Sequence, residues 1–434
     1  MIKTSNILDG LGFTECYLNK VAIETGFIKR FRKLMAMDYL TILLTSVGKE
    51  VVSYNTMASC LFENSNKSVF KQALHKALCK GSFLVFIERI FNELISEKMR
   101  ISKFRLKDKF KRIIIQDSTI IKAPKRLFRF YSGVKNGITQ VANARIQLAL
   151  DIKANVFTLF SIDPYSVNDL LAASGLPIRK GDLIIRDRGY CSISEMNRIV
   201  RSKADFIYRY HHQYNYFDFK SGLVIDMYKL LRNRTKIKTR VRLGKGQDTI
   251  VTLVAMRVSD QVANYRRRQL KQNAKNTPGK ELLRLLSWSI FITSIDEKNI
   301  SYKEISEVYA LRWRIEIIFK SMKSHLNLDK IHGVPNHQLT FIILGKMILL
   351  LLVMRFIYPR AFIEVKNRTG KYVSLIKLVR YIKENIIIAE RILKANCKDK
   401  IEPDIIELLS KYCTYDQRKD RNNYEQEFES CFLS

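Results

Sequence analysis

The sequence predicts a mixed α/β fold in which a β-rich segment interrupts an α/β core and helical regions lie on both sides of it. Three observations support this. Apolar residues recur at helical spacing before about residue 107, and β-branched runs alternate with helical patterns from Arg112 onward. Residues 213–298 then carry several further strand-like runs. We therefore expect five regions: a helical N-terminal domain (1–107), the first part of the core (108–212), a β-rich insertion (213–298), the last part of the core (299–358) and a helical C-terminal region (359–434).

The N-terminal region is predicted to be helical because Phe83, Phe86, Ile90 and Leu94 follow one another at helical intervals. Residues 64–68 are typical capping residues and should separate two helices. Many Lys and Arg side chains lie in this region. They are consistent with DNA binding and equally with ordinary solvated helices, so both interpretations stay open.

The core is predicted from short buried strands that are followed by helices. The expected strands are 113–116, 142–151, 155–162, 181–185 and 206–210, and the expected helices are 167–174 and 194–203. In the insertion, residues 236–243 alternate between apolar residues and cations, as a half-buried strand does, and 249–256 and 288–293 add further strands. Residues 265–279 are basic and polar, and we expect a loop there. After residue 338 the chain should be mostly helical, with a polar tail from about Gln417.

The charge of the chain indicates its class of partner. It has 76 Lys and Arg against 41 Asp and Glu, a net charge of +35. Such a surplus favours a polyanion, most simply nucleic acid, over a membrane surface, because the cations are spread along the whole chain. Residues 341–357 are strongly apolar but contain Lys346 and Arg355, so we expect a buried core helix and no membrane span. Seven scattered cysteines without a CxxC pair indicate reduced thiols in a cytoplasmic protein.

One helix is predicted to carry a carboxylate among cations. If residues 309–323 form a single α-helix, Tyr309, Arg312, Glu316, Lys320 and Lys323 fall on one side of it. The adjoining side is apolar and should face the core; it contains Val308, Leu311, Ile315, Ile318, Phe319 and Met322. The arrangement suits a metal ligand beside a phosphate, and it is also consistent with a surface ion-pair cluster.

Two further acids are placed where they could join Glu316. Asp117 and Asp187 each follow a predicted strand, and three converging carboxylates can bind Mg²⁺ or Mn²⁺. Two such ions about 4 Å apart support phosphodiester cleavage. Taken alone, Asp117 is more simply interpreted as a turn or cap residue, and Asp187 as part of an ordinary surface ion pair with Arg186 and Arg188. Three neighbouring acids are not excluded by pattern alone: Asp151, Asp163 and Asp182.

The spacing of Tyr309, Arg312, Glu316 and Lys323 resembles the YREK signature of bacterial insertion-sequence transposases of insertion-sequence family four. Asp117 in Gln-Asp-Ser-Thr and Asp187 in Arg-Asp-Arg-Gly-Tyr resemble the first and second acids of that group. The resemblance extends over about residues 112–350. It implies a DDE transposase with an RNase H-like catalytic core, in which Asp117, Asp187 and Glu316 bind two Mg²⁺ ions.

The resemblance also implies roles for other residues and a reaction. Tyr309, Arg312 and Lys323, with Lys320 as a helper, would hold the DNA backbone, and Trp288 would stack on a flipped base near a hairpin. Core packing is the alternative for Trp288, and Trp313 is interpreted as structural. The protein would cut double-stranded DNA at the terminal inverted repeats, join the 3′-hydroxyl ends to target DNA, and act as a homodimer in the bacterial cytoplasm at the nucleoid. Two alternatives remain, an RNase H-like nuclease without strand transfer and an inactive, domesticated DNA-binding protein.

Overall fold

The computed structural model describes residues 8, 12–49, 52–96, 109–133, 141–154, 156–244, 246, 249–274, 277–324, 326–328, 331, 334–385, 388–389, 391–392 and 401–415. The domain boundary expected near residue 107 and the polar tail expected from Gln417 lie outside these residues. The five-region division itself stays a prediction.

A nine-stranded sheet forms the centre of the molecule. Its strands, in chain order, are β1 (Arg112–Lys122), β2 (Asn143–Asp151), β3 (Val156–Pro164), β4 (Asp182–Arg186), β5 (Asp205–Arg209), β6 (Tyr216–Asp218), β7 (Lys236–Leu243), β8 (Thr249–Arg257) and β9 (Trp288–Thr293). Their order across the sheet is β3-β2-β1-β4-β5-β9-β8-β7-β6. β4 is parallel to β1 and β5, and all other neighbours are antiparallel. The mixed α/β prediction is confirmed.

Alternating side chains of the sheet pack into two separate cores. Ile113 and Ile115 of β1 belong to a large core shared with the N- and C-terminal helices. Ile114 belongs to a smaller core on the other face, together with Met196 and Ile199. The segregation follows from the period of two in a strand, which sends successive side chains to opposite faces. Each face of β1 therefore has its own environment.

Strands β6 to β9 continue the central sheet, because β9 pairs directly with β5. The region predicted as a β-rich insertion is thus rich in strand and hydrogen-bonded to the core; that it is an insertion stays a prediction. The prediction of a loop at 265–279 is wrong for the first half of that segment, because a helix extends from Asp260 to Asn273. Its polarity reflects an exposed helix of Arg, Lys and Gln, which are good helix formers.

In the described part of the chain, the helices with defined bounds that precede the sheet are α1 (Glu15–Glu24), α2 (Ala36–Val47), α3 (Tyr54–Ser65), α4 (Lys71–Leu78) and α5 (Gly81–Ser96). The predicted break at 64–68 is confirmed, with Asn66 in the left-handed conformation (φ 54°) at the end of α3. Short helices α6 (Asp169–Ala173), α7 (Ile193–Arg201), α8 (Met227–Leu231), α9 (Asp260–Asn273) and α10 (Lys280–Leu285) connect the strands.

Among the described residues that follow β9, the helices with defined bounds are α11 (Tyr302–Ala310), α12 (Trp313–Ser324), α13 (Asn336–Leu352), α14 (Tyr358–Thr369), α15 (Leu375–Glu384) and α16 (Pro403–Tyr412), with a π-helical turn at Val353–Ile357. The segment Asn336–Thr369 is long and apolar enough to cross a membrane, but 78% of its most apolar window is buried inside the protein. The N-terminal helices cover it closely: a Cβ on Gly345 of α13 would lie 2.9 Å from Leu43 Cγ of α2. The core-helix prediction is confirmed.

Candidate active site

Asp117 of β1 and Asp187, which immediately follows β4, lie side by side because of the register between the two strands. In the parallel pair β1 and β4, Gln116 is the partner of Arg186, so the next residue of each segment is an aspartate. Both acids face α11 and α12, since the residues two and four positions before each of them pack into that core. The expectation that Asp117 ends its strand is wrong. β1 continues to Lys122 because β2 pairs with it over that length.

The single helix expected over residues 309–323 is wrong, because two helices meet there. Leu311 and Arg312 form a turn between α11 and α12, and their backbone N–H groups donate to carbonyls three residues earlier, at 3.2 and 3.1 Å. The predicted apolar side remains intact across this break, and all of its members are buried: Val308, Leu311, Ile315, Ile318, Phe319 and Met322.

Arg312 joins two of the acids. Its Nη1 lies 2.5 Å from Glu316 Oε1 and 3.3 Å from Asp117 Oδ2. The residue is only 8% exposed. Within the described part of the chain, its buried Nε has no hydrogen-bond acceptor. A buried donor without an acceptor is costly, and an anionic oxygen entering this space would satisfy it.

The pKa of Asp117 is raised by its surroundings. Burial raises it from 3.8 to about 6, and the negative charges of Asp187 and Glu316 raise it as well. The Ser118 backbone N–H and the Arg312 guanidinium act in the opposite direction but do not compensate for burial. Like charges and desolvation both disfavour the ionised form of a carboxyl group.

Tyr309 contacts the second acid. Its hydroxyl donates to Asp187 Oδ1 at 3.4 Å, and its ring packs against Phe291 with centroids 5.2 Å apart. Burial, followed by the charge of Asp187, raises the pKa of Tyr309 to about 12, so the side chain stays a neutral donor. The guanidinium of Arg209 lies 5.1 Å from the centre of the same ring.

A cavity of about 340 Å³ opens beside Asp187 and Tyr309. Its walls combine cations with aromatic rings, and they include Arg188, Arg209, His212, Arg266, Trp288 and Trp313. Trp288 is buried at the start of β9, whereas Trp313 is 52% exposed. Trp313 therefore lies at the surface beside the cavity, and its structural interpretation stays a prediction.

Sequence reasoning missed Arg209 and Arg266 as members of this site. Arg209 ends the buried strand β5, and a charged residue after apolar strand residues was an available signal. Burial lowers its pKa to about 10. Arg266 lies in the segment interpreted as a loop; in the structure it donates to the Trp288 carbonyl at 3.1 Å and so ties α9 to β9. That contact has no sequence signal.

The two predicted lysines lie further along α12. Lys320 is exposed and Lys323 is half-buried, about one and two helical turns after Glu316. Three alternative acids are separated from the site. Asp182, at the opposite end of β4, pairs with Arg112 at 2.6 Å; Asp151 accepts from the Lys153 backbone at 3.0 Å, and Asp163 accepts from Ser161 at 2.5 Å.

The predicted metal ligands fit a divalent cation in their chemistry. Carboxylate oxygens are the donors that Mg²⁺ and Mn²⁺ prefer, and a cation would relieve the repulsion that raises the pKa of Asp117. Across the described residues, however, no group of three or more His, Cys, Asp or Glu is arranged to hold a metal ion. The Arg312 guanidinium supplies the positive charge between Asp117 and Glu316. The metal site therefore stays a prediction.

Comparison with known proteins identifies a transposase family and transposase relatives. Residues 108–352 match the family described as Transposase DDE domain. The transposase for insertion sequence element IS231B from Bacillus thuringiensis subsp. berliner is 25% identical over 441 residues, which cover 94% of this chain and 91% of that protein. The transposase for insertion sequence element IS1151 from Clostridium perfringens is 24% identical over 364 residues, covering 77% of this chain and 76% of the relative.

Among solved structures, the cryo-EM structure of the piggyBac transposase synaptic complex with hairpin DNA is similar at a TM-score of 0.40 and 12% identity, over 97% of this chain and 85% of that one. This likeness is too distant to support an argument. The family match, in contrast, covers more than half of the chain and includes Asp117, Asp187 and Glu316. The protein therefore belongs to the Transposase DDE domain family.

Proposed function

We propose that this protein is an insertion-sequence transposase of the YREK group that cuts DNA at element ends and joins the freed 3′-hydroxyl ends to target DNA. The observation that carries the proposal is the β1–β4 register. It places Asp117 and Asp187 side by side, while Arg312 connects Asp117 to Glu316. In this proposal β1–β5 with α11–α13 form an RNase H-like core, and residues 213–298 form its β-rich insertion.

Asp117, Asp187 and Glu316 would hold two Mg²⁺ ions, with Mn²⁺ as a substitute. Such ions, when bound, lower the pKa of water or a hydroxyl and neutralise charge on the phosphodiester. The side chains around the acids contribute separately. Arg312 neutralises carboxylates and offers its unsatisfied Nε to a phosphate oxygen. Tyr309, which stays protonated, orients Asp187 by its hydrogen bond.

The cavity beside Asp187 is proposed to receive the end of the cleaved DNA. Its cations, Arg188, Arg209 and Arg266, can neutralise phosphates, and its rings, Trp288 and Trp313, can stack on an unpaired base. Stacking of a base on an aromatic side chain contributes about 1–3 kcal/mol. Lys320 and Lys323 would extend the backbone contacts along α12. In this proposal Trp288 stacks on a flipped base, and the cleaved end passes through a hairpin intermediate.

A row of cations on β7 offers a second contact for the DNA backbone. We call Lys236, Lys238, Arg240 and Arg242 the β7 cation row. The register pairs Lys238 with Val254, whose side chain lies in the same core that the acids face. The row is thus on the face of the sheet that carries the acids. None of its four members takes part in the ion pairs of the described residues, so its charge is available to phosphates.

The experiment uses the full chain and DNA that carries the inverted repeats flanking the gene. Asp117→Ala, Asp187→Ala and Glu316→Ala should each lower Mg²⁺-dependent cleavage by at least about a hundredfold, with binding to the ends largely retained. Asp163→Ala is the matched control, because it removes a carboxylate from the same sheet away from the site.

Strand transfer separates the proposal from its rivals. The wild-type protein should join the 3′ ends to a second DNA, giving a target duplication of fixed length. Cleavage without joining would indicate a nuclease, and binding without cleavage would indicate a domesticated DNA-binding protein. Substantial cleavage by the Glu316→Ala variant would refute the assignment of that residue.

A further inference from the structure

A polar network lies on the face of the sheet opposite the acids. Four of its strand members are buried and Ser118 is half-buried; the buried four are Gln116, Arg145, Gln147 and Arg186. Gln116 and Ser118 are the residues on either side of Asp117, and Arg186 immediately precedes Asp187. Burying polar and charged side chains is unfavourable unless each has a partner. The partners here come mainly from one short helix, α6.

Asp169, the first residue of α6, collects three hydrogen bonds on one oxygen. Its Oδ1 accepts from Ser118 Oγ at 2.7 Å, Arg145 Nη1 at 2.8 Å and Gln147 Nε2 at 3.3 Å. Gln147 in turn accepts from the Tyr190 hydroxyl at 2.7 Å. A chain of hydrogen bonds therefore links Asp169 to the strand of Asp117 and to the turn that follows Asp187.

The other oxygen of Asp169 faces that turn directly. A Cβ built on Gly189 would lie 3.0 Å from Asp169 Oδ2, so any larger residue would displace one of the two. Asp169 and the turn at Arg188–Tyr190 are therefore in close contact, and a side chain at residue 189 would require one of them to move by a few tenths of an ångström.

The carbonyl end of α6 contacts the residues that precede the two acids. Arg186 Nη2 donates to the Ala173 carbonyl at 3.0 Å, and Arg186 Nε donates to Gln116 Oε1 at 2.7 Å. Arg186 also donates to Glu195 Oε1 at 2.6 Å. One five-residue helix therefore touches both strands, at the residues that flank Asp117 and precede Asp187.

We propose that Asp169 is a positioning residue, which fixes the separation of Asp117 and Asp187 from the opposite face of the sheet. The proposal rests on the proposed function, in which these acids bind divalent cations together. Asp169 would not touch the metal or the DNA. It would act by holding the Ser118 strand and the Gly189 turn in one arrangement.

The test measures Mn²⁺ affinity of the full chain by isothermal titration calorimetry, beside unfolding temperature and DNA binding. Asp169→Ala should weaken Mn²⁺ binding by about 10- to 100-fold, the range typical for residues that orient metal ligands. Asp169→Asn keeps an acceptor oxygen and should lose less. Gly189→Ala removes no hydrogen bond but pushes on the same contact, so it should weaken Mn²⁺ binding in the same direction.

Asp226→Ala is the matched control. Asp226 immediately precedes a five-residue helix, α8, and accepts from the Lys229 backbone at 3.0 Å. Among the described residues, none of its hydrogen bonds or ion pairs reaches β1 or β4. It should leave Mn²⁺ affinity unchanged. If Asp169→Ala does not fold, Asp169→Asn and Gly189→Ala decide the question.

Four outcomes decide the question. Unchanged Mn²⁺ affinity in the folded Asp169 and Gly189 variants would overturn the proposal, and so would an equal loss in Asp226→Ala. Failure of the wild-type protein to bind Mn²⁺ would instead refute the metal site of the proposed function. Weakened binding in the Asp169 and Gly189 variants alone would support the positioning role.

Discussion

The two faces of the central sheet shift the pKa values of their carboxylates in opposite directions. On the α12 face, burial and the neighbouring acids raise the pKa of Asp117 to about 6. On the opposite face burial also acts against ionisation of Glu195, yet hydrogen bonds and charges from Arg198 and Arg186 leave its pKa lowered. On the α7 face the carboxylate of Glu195 is neutralised by arginines, whereas on the α12 face the carboxylates repel one another and Asp117 is poorly solvated. Carboxylates with a raised pKa of this kind are typical of sites that bind a ligand.

The largest expected effect comes from removing Arg186, one of the two arginines that neutralise Glu195. Arg186→Met should lower the free energy of unfolding by about 3–5 kcal/mol, because it removes one of the two arginines that neutralise Glu195 and leaves the buried Gln116 Oε1 without its donor. Chemical denaturation measures this. Arg198→Met is the comparison variant. It also removes an arginine that donates to Glu195, but its side chain is 35% exposed, so its loss should cost less. A loss below about 1 kcal/mol for Arg186→Met would show that the network adds little stability.

On the α12 face, removing the charge of Asp117 should increase stability instead of decreasing it. Without divalent ions, the folded protein holds the Asp117 proton more tightly than the unfolded chain does. The associated stability is present below about pH 4 and is lost as the pH rises through about 6. Asp117→Asn should therefore raise the free energy of unfolding above pH 6, by at most about 3 kcal/mol.

Denaturation of both proteins at pH 4 and pH 8 tests this expectation. The difference between Asp117→Asn and wild type should nearly vanish at the lower pH. A variant that is equally stable or less stable than wild type at pH 8 would mean that Arg312 already compensates the charge of Asp117.

The smallest effect concerns the β7 cation row. Arg240→Ala should leave stability within about 0.5 kcal/mol, because the side chain is exposed. It should weaken DNA binding at every sequence and reduce the slope of log affinity against log salt by about one. Lys411→Ala is the control, because that lysine is paired with Glu407 at 2.7 Å. An unchanged slope would remove the row from the DNA contact.

Local pattern located most of the strands and the buried side of α11 and α12, but it missed β6 and the second half of β1. The β-branched run at Ile113–Ile115 and the apolar positions from Val308 to Met322 depend on periodicity, which the sequence displays directly. The break at Leu311 and Arg312 has no such signal, since neither residue disfavours a helix. The roles of Asp169, Arg209 and Arg266 depend on pairing between distant segments, which periodicity does not encode.

The register of Gln116 with Arg186 restricts how these two strands can change in length. Because successive residues of a strand alternate between faces, deleting one residue from Ile113–Gln116 would turn Asp117 toward α6 and put a neighbour in its place. Deleting two would preserve the face but shift the acid by about 7 Å along its strand. Evolution of this segment can therefore exchange its side chains, but insertions and deletions are confined to the connections outside it.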